Sequence, residues 1–155
     1  ALVTDAVMTE SGFAGLAPAD MACHSAAHLL ADGDMQGGLR NLWDFHCLTR
    51  DFVAADPGFW GRLDARADKH GLRAVLHRAA RLARDVFGAA LPGDWDRRDP
   101  RDRWFKRRLL ARDDWGGAGD FALRQAFYIR SHWLRMPPRL LARHLWTKWR
   151  RRAAR

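Results

Sequence analysis

Cysteine is scarce in this chain, lysine is scarcer still relative to arginine, and long apolar runs are missing. The two cysteines, Cys23 and Cys47, lie inside apolar, helix-like segments. That pattern excludes a disulfide framework and makes a reducing cytoplasm the expected compartment. No stretch reaches the roughly 18 apolar residues a spanning helix needs, and residues 1–10 lack the basic and apolar regions of a signal peptide. Strand-like alternation is nearly absent, and so is any internal repeat. Only 3 Lys stand against 24 Arg, a habit of GC-rich coding, so the arginine count alone does not argue for a nucleic-acid partner.

What remains is enough for one domain. The 155 residues are 48% hydrophobic and 29% charged, with a net charge of +9, which suits a single core and excludes fibrous or wholly disordered classes. The charge is uneven. Residues 1–56 carry 2 basic and 8 acidic side chains, and residues 57–155 carry 25 basic and 10 acidic ones, so the two parts attract each other.

Apolar spacing is helical almost throughout, which predicts an all-α protein: an irregular bundle of about six or seven helices without an α/β palm. The opening, rich in Gly and Ala, reads as a leader or linker (1–17) from an upstream segment, and 18–155 as the helical domain. Within it, 18–91 form the core and 103–155 the basic C-terminal helices. Start and stop signals place helices over 18–31, 39–53, 59–70 and 72–87, with Gly71 as a C-cap. On the fourth, Leu72, Val75, Leu76, Ala79, Leu82, Ala83, Val86 and Phe87 make a core face, while Arg73, His77, Arg81 and Arg84 read as its wet face. Residues 94–102 read as a charged loop around Trp95. Further helices follow over 103–112, 121–136 and 139–152, with the Gly- and Asp-rich 113–120 as the most flexible segment by composition.

Several constellations could carry chemistry. His24 and His28, four residues apart on one helix, have the spacing of two metal ligands. Zinc needs at least one more, which His46 or Cys47 on the next helix could supply, but nothing in the spacing requires it, so no metal site is expected and two partly buried structural histidines are the plainer reading. Arg40, Asp44, Cys47 and Asp51 line one stripe of the next helix. Exposed, the Arg40–Asp44 pair contributes about 0.2–0.5 kcal/mol. Anchored inward, it could hold a loop or a phosphate. Arg40 and His46 fit the Arg-to-His spacing of the helical HEPN ribonucleases, but 24 Arg and 7 His make that spacing common by chance. Asp94 and Asp96 form a D-x-D in a Pro- and Arg-rich loop, where a solvated loop is expected rather than a Mg²⁺ site. The last helix carries a Leu141, Leu145, Trp146 and Trp149 stripe surrounded by Arg139, Arg143, Lys148, Arg150, Arg151 and Arg152. It is a basic surface suited to a core helix with a charged face or to an anionic membrane, with nucleic acid phosphates a weaker option.

The ordered series Pro18-Ala19-Asp20-Met21, His24-Ser25-Ala26-Ala27-His28-Leu29-Leu30 and Gly38-Leu39-Arg40-Asn41-Leu42-Trp43-Asp44 resembles the bacterial uncharacterised nucleotidyltransferase family, a branch of the polymerase-β-like nucleotidyltransferases. Phe59-Trp60, Lys69-His70-Gly71-Leu72 and Tyr128-Ile129-Arg130-Ser131-His132-Trp133-Leu134-Arg135-Met136-Pro137-Pro138 continue it, so the resemblance covers roughly 18–148 and looks like the family's helical C-terminal part. The resemblance implies a catalytic α/β half with a Gly-Ser turn and paired carboxylates that bind metal and nucleotide phosphates. No Gly-Ser pair occurs in this sequence, so no catalytic residue carries over. His24, His28, Arg40 and Asp44 match the helical motif and are the implied substrate-binding residues, with Asp44 orienting Arg40. No cofactor is expected in this chain, and Mg²⁺ and a nucleoside triphosphate are implied for the parent enzyme. The implied partners are a nucleotide and an acceptor reached through an upstream α/β domain. An anionic membrane surface is the second expected partner, with cytoplasmic or peripheral inner-membrane localisation.

Overall fold

Helix-breaking residues divide the chain, and apolar periodicity decides how the pieces pack. A computed structural model describes residues 7–8, 12–31, 35, 37–111 and 119–153, without the side chains of 135, 148, 149 and 151–153. A small antiparallel pair, β1 (Val7–Met8) and β2 (Ala14–Gly15), lies ahead of the helices. Two residues per strand are too few to show as alternation in the sequence. Seven α-helices follow among the described residues: α1 Pro18–Ala31, α2 Gly38–Ala55, α3 Phe59–Lys69, α4 Arg73–Phe87, α5 Asp102–Leu110, α6 Phe121–Arg135 and α7 Pro138–Ala153. The fold is all-α, without an α/β palm.

The boundaries follow local chemistry. Pro18 opens α1, where its missing N–H costs nothing. At the end of α3, Gly71 adopts φ +66°, its N–H bonds Asp68 O, and the Leu72 N–H bonds Ala67 O at 2.7 Å. This left-handed cap satisfies carbonyls that the helix leaves open. The fourth helix stops at Gly88, φ +74°, as the 72–87 reading expects. Asp120, read as part of a segment flexible by composition, caps α6 by accepting the Leu123 N–H at 3.0 Å. That bond, and then the charge of Arg107, holds its carboxyl below the usual range.

Packing centres on α1 and α4. Helix α1 meets α2, α3 and α4, while α4 meets α1, α2, α3 and α5. Leu29, Leu42, Phe45, Phe59, Leu63, Leu76 and Leu82 are buried between them, each contributing about 1.5–3 kcal/mol by leaving water. Gly38 opens α2, and an added Cβ there would meet Leu109 Cδ2 at 2.8 Å. The missing side chain is what lets α5 approach α2.

The charged side of α4 is partly covered, which corrects the wet-face reading for buried Arg81 and for half-buried His77 and Arg84, while Arg73 is exposed as expected. Arg81 is only 6% exposed. Its Nε donates to Asp102 Oδ2 at 2.6 Å, and Arg78 Nε donates to Asp102 Oδ1 at 2.9 Å. Arg78 also lies 4.8 Å over the Phe105 ring and donates to Asp99 Oδ2 at 2.6 Å. The Arg101 amide, and then Arg78, holds the Asp99 carboxyl below its usual value. Its stabilising contribution is therefore present above the ordinary carboxylate pKa and lost as the pH falls through the depressed one.

The 94–102 segment is a connection without helix over 96–101, as expected, but Trp95 anchors it. Trp95 ends a 3-10 turn and is 2% exposed, stacked on His77 at 4.1 Å and edge-on to Trp60 at 5.0 Å. The D-x-D carboxylates do not converge on a common centre, since Asp96 pairs with Arg84 and Asp94 is exposed.

Candidate functional site

Helices α1 and α2 together build a shallow depression. His24 and His28 stand one turn apart on α1, with ring centroids 6.2 Å apart and planes at 62°. Asn41, Asp44 and Leu48 fall on one face of α2 by their i, i+3, i+7 spacing. With Met21 and Ser25 they line a volume of about 350 Å³. Both histidines and Asp44 are exposed, so the reading of His24 and His28 as partly buried packing residues is corrected. Arg40, one turn before Asp44 on the same helix, is exposed and lies outside that lining. Three of the four residues singled out in the sequence thus share one surface, and the fourth borders it along α2. Chemically, the surface offers two imidazoles able to donate to phosphate or hydroxyl oxygens, a carboxylate able to accept from hydroxyls, and a nearby guanidinium.

His46 and Cys47 do not complete a metal site with the α1 histidines. The His46 ring packs between Trp43 at 5.4 Å and Phe87 at 5.6 Å. Among the described residues, no three His, Cys, Asp or Glu side chains are grouped to hold a metal ion. Arg40 and His46, six residues apart on one helix, point about 120° away from each other, with Arg40 exposed and the His46 ring packed against aromatic neighbours.

A second charged cluster, missed in the sequence, lies at the start of α1. Asp20 is 1% exposed. Arg66 Nε and Nη2 donate to its two oxygens at 2.6 and 2.5 Å, and His70 Nε2 stands 3.7 Å away. These groups join α1 to α3 at one side of a groove of about 510 Å³ that also touches Phe59, Arg62 and Lys69. The signal was obscured because Asp20 reads equally well as a helix-start residue.

One turn beyond Asp20, burial pushes the Cys23 thiol up to about 11, the negative charge of Asp20 adds to this, and Arg66 partly offsets it. At pH 8 the thiolate fraction of Cys23 is then about a hundredfold below that of an ordinary thiol of pKa 9.0. We expect iodoacetamide at pH 8 to alkylate Cys47, which is half-buried, and to spare Cys23 until denaturant is added. Mass spectrometry of digested protein reads the result, and equal labelling of both would contradict it. The linkage also has a sign. The folded pKa is raised, so this contribution to stability is complete below pH 9.0 and is lost as the pH climbs towards about 11.

The basic residues of α7 divide into two groups. Arg139, Arg143 and Arg150 are exposed, whereas the side chains of Lys148, Arg151 and Arg152 lie outside the described residues. Of the apolar stripe, Leu141 is buried, Leu145 is half-buried and Trp146 is 59% exposed. The side chain of Trp149 lies outside the described residues.

A family model described as "Uncharacterised nucleotidyltransferase" matches residues 2–88. The span takes in the stretch read as a leader and all of α1 to α4, and it includes His24, His28, Arg40 and Asp44. No curated protein and no solved structure matches the chain.

Proposed function

Because this chain belongs to the uncharacterised nucleotidyltransferase family, we propose that its helical body forms one wall of the cleft in which a nucleotide meets its acceptor. In this reading an α/β half upstream performs nucleotidyl transfer, with Mg²⁺ and the triphosphate held there. The described residues of this chain do not fit the metal. Asp94 is exposed and Asp96 is paired with Arg84, and no group of three suitable ligands occurs among them. No catalytic step is therefore assigned to this chain.

The observation that carries the reading is the convergence of His24, His28 and Asp44 on one α1–α2 depression inside the matched span. His28 and Arg40 would bind phosphate or acceptor oxygens. Asp44, one turn from Arg40, would orient its guanidinium, since residues at i, i+4 lie within pairing distance. A lost hydrogen bond to a charged group costs about 1.5–3 kcal/mol. His28→Ala and Arg40→Ala in the protein carrying its α/β half should each raise the nucleoside triphosphate Kd by about tenfold or more. Calorimetric titration checks this, and unaltered affinity in both variants would remove the assignment.

A further inference from the structure

The α6–α7 hairpin presents an apolar tip that the core does not use. Helix α6 spends one face on the body: Leu123 and Phe127 are buried, and Phe127 meets Phe105 edge-on at 5.1 Å. Arg130 Nη1 ties the same side to Leu30 O at 3.0 Å. A second face, turned away from the first, carries Ile129 at 41% and Trp133 at 60% exposure, one turn apart. Towards the turn the exposed apolar surface continues through Leu134 at 61%, Pro137 and Pro138, and into α7 with Leu140 at 54%. Large aromatic and aliphatic side chains clustered at a turn between two helices are unusual on a surface without a binding role.

The charge around this tip is of one sign. From residue 121 to residue 155 there are ten basic side chains and no acidic one. Exposed Arg139 and Arg143 follow the turn along α7. Among the described residues no helix is long and apolar enough to cross a membrane, so this surface can lie on a bilayer but not traverse it as a helix. Tryptophan and leucine at an apolar edge, flanked by arginines, are the composition that settles at the boundary of headgroups and acyl chains.

We propose that the tip of the α6–α7 hairpin docks this protein on an anionic lipid bilayer, inserting Trp133, Leu134 and Leu140 at headgroup depth while the arginines of α7 engage lipid phosphates. Charge complementarity selects this occupant. Two copies meeting tip to tip would bring the same cationic segments together. A phosphate-reading nucleic-acid surface would hold cations at its centre, whereas here the centre is apolar and the exposed cations Arg139 and Arg143 flank it along α7. The surface lies outside the span matched to the family and is independent of the α1–α2 depression.

The test is co-sedimentation of the full 155-residue chain with equimolar phosphatidylglycerol and phosphatidylethanolamine vesicles, against phosphatidylcholine vesicles. The chain should pellet with the first and stay in solution with the second. Trp133→Ser/Leu134→Ser/Leu140→Ser should lower the partition coefficient by about tenfold or more. All three positions are exposed, so the circular dichroism should be unchanged. Arg139→Glu/Arg143→Glu should lower it by about fivefold for each cation removed, and added salt should weaken binding by the wild-type chain. Brominated acyl chains should quench tryptophan fluorescence in the wild type and much less in the triple variant. The proposal is overturned if the wild-type chain ignores anionic vesicles or if the triple variant partitions as the wild type does. It is equally overturned if the same substitutions abolish duplex binding or a solution dimer while vesicle binding persists.

Discussion

Replacing Asp102 by alanine lowers the unfolding free energy by about 3–5 kcal/mol, because a buried cation pair is left without its anion. Asp102 is 7% exposed and receives hydrogen bonds from Arg78 and Arg81 across the α4–α5 seam. Arg78 keeps Asp99 and the face of Phe105. Arg81 has no such reserve. It stays 6% exposed on a helix packed on several sides. For a chain of this length the melting temperature falls by roughly 6–20 °C. Thermal unfolding followed by circular dichroism reads the change, and a loss below about 1 kcal/mol would show that water reaches Arg81. The double variant Asp102→Leu/Arg81→Met should recover most of the loss, since an apolar pair of similar volume replaces the ion pair without a desolvation cost.

Trp95→Ala should cost a similar amount, about 3–5 kcal/mol, by removing a large side chain from a packed interior. The indole is 2% exposed, stacked on His77 and edge-on to Trp60. It is the point at which the α4–α5 connection is pinned to α3 and α4. His77 in turn is held by Asp64 Oδ1 at 2.8 Å, and Arg73 bonds the same carboxylate. The substitution therefore frees the connection and loosens the His77–Asp64 contact together. Denaturant titration should show a lower midpoint, and near-ultraviolet circular dichroism a reduced aromatic signal. Trp95→Phe should retain about half of the lost stability, because a smaller ring still fills part of the cavity. An unchanged midpoint in Trp95→Ala would mean that the connection does not depend on this anchor.

The candidate site was legible in part. His24 and His28 share a helix face by spacing alone, and Asp44 lies on one face of α2 with Asn41 and Leu48. Nothing in either spacing says that the two faces meet. Their meeting depends on how α1 and α2 pack, which the buried contacts of Leu29, Leu42 and Phe45 determine. The Asp20–Arg66 pair was less legible still, with its partners 46 positions apart.

The amino-acid sequence by itself determined the helical class and most of the helix ends, because apolar periodicity, proline and left-handed glycine act within a few residues of the backbone they shape. It also determined the basic character of the last two helices. Only the tertiary structure decided that the charged side of α4 is buried at Arg81, that Trp95 is an anchor and that Asp102 neutralises Arg81. A pattern of hydrophobicity marks every arginine and aspartate as wet. Whether one is buried depends on an opposite charge arriving from a distant helix, and in a chain with 24 arginines local spacing does not mark which of them that will be.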